Sequence, residues 1–178
     1  MRWMWIDAIV DFVPEQSLTA IKHVSLAEEH LHDHFEPCDQ FDRRLPVMPG
    51  SLVLEAMAQT AGILVGTCSN FQQKIVLAKI GRAELLLDAV PGCTLRLHAE
   101  IERFDRAGAA TRGVVDVVPP GRASEPAERL GTIELMFSNV DENLAGRAFP
   151  AENFVFSRNF APILAAAGLD EHLPPHRA

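Results

Sequence analysis

The stretch Pro46-Val47-Met48-Pro49-Gly50-Ser51-Leu52-Val53-Leu54-Glu55-Ala56-Met57-Ala58-Gln59-Thr60-Ala61-Gly62 constrains this chain more than any other. It reads as a turn opening into a helix from about Gly50 to about Thr67 that is apolar on every side. Such a helix is normally buried, so the rest of the chain has to supply a surface that wraps it. Ala56, Ala58, Ala61 and Gly62 are small enough for a sheet to come close. The run also carries a carboxylate, Glu55, and a core carboxylate is rare unless it is paired or working. Three histidines just upstream, in His30-Leu31-His32-Asp33-His34-Phe35, offer it a partner.

The wrapping surface is legible as strands. Ile6 to Phe12 and Leu18 to Val24 flank the turn residues Pro14-Glu15-Gln16, which predicts a hairpin. Ser25-Leu26-Ala27-Glu28-Glu29 reads as a capped helical turn, a hydroxyl followed by carboxylates. Asp33 to Pro49 reads as an irregular polar loop. Beyond the helix, Lys74 to Leu87 is strand-like and Pro91-Gly92 marks a turn. Thr94 to Phe104 alternates, with Leu95, Leu97, Ala99 and Ile101 on one face and Arg96, His98 and Glu100 on the other. Thr111 to Val118 and Leu130 to Phe137 supply two further strands. The tail carries Phe149, Phe154, Phe156 and Phe160, an aromatic patch expected to pack over the sheet, with capping a tunnel or joining subunits as alternatives, and a short helix near Pro162 to Ala167. The expected layout is α+β, an antiparallel sheet wrapped around a helix, in one domain over 1–178 with a core of about 5–140 and an extension of about 141–178.

Composition excludes several classes. A net charge of −8 argues against general nucleic-acid binding, which rests on a basic surface. No run of about 18 uncharged apolar residues exists, and Asp7 and Asp11 interrupt the apolar N-terminus too early for a signal peptide, so no membrane span and no leader are expected. The three cysteines, Cys38, Cys68 and Cys93, are odd in number and form no C-x-x-C pair. That predicts neither a disulfide framework nor a zinc knuckle and fits a reducing, cytoplasmic setting. His30-Leu31-His32-Asp33-His34 is one residue short of an H-x-H-x-D-H metal motif and no clear further ligand set follows, so no metal is expected. Gly50-Ser51-Leu52-Val53 is not a nucleophile elbow. No phosphate-cradling glycine loop is present, so no nucleotide cofactor is expected.

The chemistry that remains is acid–base. A helix starting near Gly50 has free N–H groups in its first turn, which carry part of a macrodipole worth about half a positive charge. That terminus suits a developing oxyanion, and Gly50 has no side chain to obstruct it. Gln59 follows Glu55 at i+4 on the same face, where it orients the carboxyl group or a water, or satisfies a buried neighbour. An imidazole facing Glu55 would complete an acid–base pair. Such a set suits proton abstraction beside a thioester carbonyl, with loss of a β-hydroxyl protonated by the acid.

His34-Phe35, followed by Pro46-Val47-Met48-Pro49-Gly50 and Leu54-Glu55-Ala56-Met57-Ala58-Gln59, resembles the signature of the (3R)-hydroxyacyl-[acyl-carrier-protein] dehydratases, the FabZ/FabA group of type II fatty acid synthesis. Leu77-Ala78-Lys79-Ile80 through Pro91-Gly92 resembles the strand and turn that follow the family's central helix. The likeness covers roughly Trp5 to Asn139 and leaves the tail outside. It implies a hot-dog fold, a homodimer or a trimer of dimers, and an active site at the dimer interface. It implies His34 as the catalytic base, Glu55 as the catalytic acid, the Gly50 N–H on the thioester oxygen, and no cofactor. The implied partner is an acyl carrier protein presenting the acyl group on phosphopantetheine. Glu rather than Asp at the acid position points to dehydration without isomerisation.

The chain departs from that family pattern between Phe35 and Pro46. Ten residues, Glu36 to Leu45, stand there, an insertion of about seven that costs little loop-closure entropy. Arg43 and Arg44 within it are read either as contacts for the phosphopantetheine phosphate or an acidic carrier protein, or as a solvated loop. Two rival readings stay open. One is a hot-dog thioesterase in which Glu55 activates water and His34 is dispensable. The other is a non-catalytic acyl-binding protein whose site is altered by the 36–45 insertion.

Overall fold

Alternation along the chain builds the sheet. In the computed structural model, which describes residues 4–32, 46–121, 126–143, 155–156 and 160–169, strand β4 (Thr94–Asp105) buries Leu95, Leu97 and Ala99 and exposes Arg96 and Glu100. The remaining strands are β1 (Ala8–Val13), β2 (Ser17–His23), β3 (Ile75–Leu85), β5 (Gly108–Val118) and β6 (Glu128–Asn139). They form one antiparallel sheet in the order β1-β2-β4-β5-β6-β3. The expected hairpin forms at Pro14-Glu15-Gln16. There Gln16 N–H donates to the Val13 carbonyl at 3.1 Å, and Glu15 takes a positive φ of 60°, the conformation that closes short hairpin loops.

Helix α1 (Gly50–Thr67) packs against β2 through β6 along the concave face. From Ala56 to Thr67 every residue is buried, as its apolar run predicts. Its first turn differs: Gly50, Ser51 and Glu55 are exposed, and Leu52 and Leu54 are half-buried. The helix is therefore enclosed by its own sheet over its C-terminal two-thirds and open at its start.

The Ser25–Glu29 segment forms the capped turn that its sequence predicts. Ser25 Oγ accepts from Ala27 N–H at 3.2 Å, Glu28 Oε2 accepts from Ser25 N–H at 3.2 Å, and a single 3₁₀ turn follows at Glu29–Leu31. The turn is held from below by Lys22, which is 5 % exposed and meets Glu28 Oε1 at 2.6 Å and Asp7 Oδ1 at 3.5 Å. Among the described residues, α2 (Val140–Asn143) and α3 (Ala161–Ala166) are the remaining helices, and α3 packs beside β1. No described helix is long and apolar enough to cross a membrane.

Candidate active site

The entry to α1 is set by a proline and a tight contact. Pro49 stands at the N-cap with no side-chain capping bond, and Met48 N–H donates to the Ala89 carbonyl at 2.8 Å. Leu52 and Val53 already bond back to the Pro49 carbonyl, at 2.8 and 3.3 Å, so the free N–H groups of this terminus belong to Gly50 and its neighbour Ser51. A Cβ at Gly50 would stand 2.9 Å from a methyl carbon of Leu85. Glycine there lets the helix tip meet the end of β3, a reason that the motif alone does not reveal.

Glu55 and Gln59 come together as their spacing predicts. Gln59 Nε2 donates to Glu55 Oε1 at 2.9 Å, and Gln59 Oε1 accepts the backbone N–H of Trp5 at 2.8 Å. The Trp5 contact determines the orientation of the amide, because only its oxygen can accept from an N–H; the NH₂ is then left to face the carboxylate. Gln59 is 9 % exposed and Trp5 7 %, so this chain is anchored in the core and ends at an accessible carboxylate. Glu55 itself is exposed in the single chain. This corrects the expectation of an acid buried within the helix. The reason is geometric: Glu55 leaves α1 from the side that its own sheet does not cover.

Glu55, Gln59 and Trp5 line a cleft of about 580 Å³, within the size range of small-molecule sites. The rest of its wall is apolar: Leu52, Ala58 and Gly62 of α1, Ile75, Val76 and Leu77 of β3, Phe137 of β6, and Val155, Phe156 and Phe160. Gly50 does not line it; it sits at the helix tip just beyond. His34, with Asp33, Cys38, Arg43, Arg44 and the rest of the 36–45 insertion, lies outside the described residues. His30 is described, its ring set edge-on to Trp5 at 5.1 Å and 71°. Burial pushes the Cys93 thiol up. At Cys68, burial is reinforced by the charge of Glu15. Neither is a ready nucleophile at neutral pH; among the described residues that line the cleft, Glu55 is the ionisable one.

Sequence reasoning missed one contribution and left another open. Trp5 acts through its backbone N–H, which no side-chain motif reports. Phe156 and Phe160 belong to the aromatic tail, for which packing over the sheet, capping a tunnel and joining subunits were all open; with Val155 they line the cleft.

Comparison with known proteins agrees with this geometry. Residues 2–118 match the family model described as a FabA-like domain. The chain is 37% identical over 109 residues to the 3-hydroxyacyl-[acyl-carrier-protein] dehydratase FabZ of Bordetella petrii, covering 57% of this chain and 68% of that protein. It is 34% identical over 119 residues to the FabZ of Vibrio atlanticus, covering 65% and 74%. Among solved structures, a dehydratase heterocomplex from Xenorhabdus doucetiae superposes with a TM-score of 0.57 at 13% identity, over 78% of this chain and 84% of that one. An acyl-CoA hydrolase from Staphylococcus aureus superposes with a TM-score of 0.54 at 13% identity, over 71% and 66%. These two likenesses establish the hot-dog fold and leave the chemistry to the sequence relatives.

Proposed function

The chain belongs to the FabA-like family, and from that premise we propose that it dehydrates (3R)-3-hydroxyacyl-[acyl-carrier-protein] to the trans-2-enoyl thioester in fatty acid or related acyl-chain synthesis. The observation that carries this reading is the Trp5–Gln59–Glu55 chain, anchored in the core at Trp5 and Gln59 and delivering one carboxylate to an apolar cleft. A polar head and an apolar tail are what a 3-hydroxyacyl thioester presents.

In the proposed mechanism His34 removes a proton from C2, and electron density moves onto the thioester oxygen. The Gly50 N–H at the uncapped helix start stabilises that oxygen. The C3–O bond then breaks, and the hydroxyl leaves as water with a proton from Glu55. Gln59 holds the Glu55 carboxyl in position. The role of His34 rests on its match to the family motif. Glu in the acid position favours dehydration without isomerisation. The substrate arrives on acyl carrier protein, as the names of the relatives indicate for those proteins. The free thiols of Cys68 and Cys93 accord with a cytoplasmic setting.

The working form is a homodimer. Two features support it. Glu55 is exposed on the open first turns of α1, and edge strand β3 presents Leu77, Ile80 and Leu85 at 37%, 45% and 37% exposure. These three pair with Phe137, Leu135 and Gly131 of β6, all buried, so they lie on the inner face of the sheet, where the described residues of this chain cover them only in part. A second copy along β3 covers that row and brings its His34 toward Glu55.

Incubation of the purified protein with a 3-hydroxyacyl carrier thioester tests the proposal. Enoyl absorbance is expected. Release of free thiol would instead support the thioesterase reading, and neither signal would support a binding protein. Glu55→Gln and His34→Ala should each lower the dehydration rate by about a hundred- to ten-thousandfold, the usual contribution of general acid–base catalysis. Full activity in His34→Ala would remove the mechanism.

A further inference from the structure

The cleft runs along α1 from a polar end to an apolar one. Glu55 and Gln59 mark the first, and Gly62 follows on the same wall. Beyond Gly62, Phe156 lies against the helix at Gly66, where an added Cβ would stand 3.0 Å from its ring. Gly66 is eleven residues past Glu55, a rise of roughly 16 Å. The Phe156 ring therefore stands about three turns beyond Glu55, across the path of a chain extending from that carboxylate along the helix.

That ring is held firmly. It meets Phe71 edge-on at 4.7 Å and 66°, and Phe160 at 5.8 Å and 67°. Phe71 is fully buried and takes a φ of +54°, with its N–H bonded to the Gly66 carbonyl at 2.8 Å. A bulky residue occupies that backbone region only when its surroundings determine it, so Phe71 is a fixed support. On the other side Phe160 leads into α3, whose Leu164 is fully buried and donates its N–H to the Phe160 carbonyl at 3.0 Å. The wall is thus pinned at the end of α1 and again at α3. Val155, Phe156 and Phe160 all lie beyond the stretch matched by the family model, residues 2–118.

We infer that Val155, Phe156 and Phe160 close the far end of the cleft and cap the length of acyl chain it accepts, so that this extension sets the substrate's chain-length range. The inference rests on the dehydratase reading above. Closing a pocket with fixed aromatic rings excludes longer chains by overlap rather than by weaker attraction, so truncating the ring admits them.

The test compares kcat/KM for 3-hydroxybutyryl, 3-hydroxyoctanoyl and 3-hydroxypalmitoyl carrier thioesters in the wild type, Phe156→Leu and Phe156→Ala. The ratio of the palmitoyl to the butyryl value within one preparation does not depend on how much of the protein is folded. The wild type should favour the shorter chains. Phe156→Ala should raise the ratio by roughly tenfold or more, the scale on which pockets discriminate by size. Phe156→Leu, which keeps an apolar filler, should raise it less and serves alone if the alanine variant does not fold. An unchanged ratio in the folded variants, or a wild type that prefers the palmitoyl thioester, overturns the inference while leaving the dehydratase reading intact. A wild type inactive on all three chains overturns the dehydratase reading, and this inference with it.

Discussion

Gln59 holds two partners at once, and its consequences divide between stability and catalysis. Its oxygen accepts from Trp5 in the core, and its NH₂ donates to the exposed Glu55 carboxylate. Gln59→Ala removes the acceptor of a buried backbone N–H, which should cost about 1–3 kcal/mol and lower the urea midpoint without changing its slope. It also frees Glu55 to sample rotamers, so kcat should fall even at temperatures where the variant is fully folded. A variant with reduced stability and wild-type kcat would confine Gln59 to a structural role. The i+4 spacing of Glu55 and Gln59 was readable from the chain because a helix places such residues on one face whatever surrounds it. The exposure of Glu55 was not readable: hydropathy sees the apolar residues around it in sequence, whereas exposure depends on which side of the helix the sheet leaves uncovered.

At the scale of elements, the hairpin β1–β2 and the turn after it form one unit around Lys22. This lysine points into the structure between Asp7 before β1 and Glu28 in the turn that leads to the histidine-bearing segment. Its side chain is 7% exposed while those of Asp7 and Glu28 are 37% and 22% exposed, so solvent screens the carboxylates in part. Lys22→Met leaves two carboxylates facing each other. The cost should be about 1–3 kcal/mol, below that of breaking a fully buried pair because of the screening. Chemical denaturation measures it, and an unchanged midpoint would mean the lysine contributes nothing net. Strand positions were largely legible, because a half-buried strand must alternate and β4 does. The Ser25 motif was legible as a local cap, because its hydroxyl and the Glu28 carboxylate bond within the same turn.

For the whole molecule, the proposed assembly turns on the edge strand β3. An eleven-residue edge with an apolar inner row is a template for another strand, and the proposed dimer uses it. Ile80→Arg places a charge in that row, at a position exposed in the single chain, so each protomer should keep its fold. Sedimentation velocity should then show half the wild-type mass. Dehydration should be lost with it, since Glu55 of one copy is proposed to work with His34 of the other. An active monomer would break the link between assembly and chemistry.

The apolar helix, the alternating strands, the hairpin turn and the Glu55–Gln59 pairing were determined by the sequence itself, since each follows from local periodicity or from backbone geometry. The tertiary structure alone decided that Leu85 lies against Gly50, that a backbone N–H of Trp5 orients Gln59, and that Phe156 packs at Gly66 and lines the cleft. These contacts join residues far apart in the chain. Their partners are chosen by how the sheet curls around α1, which no single stretch of sequence records.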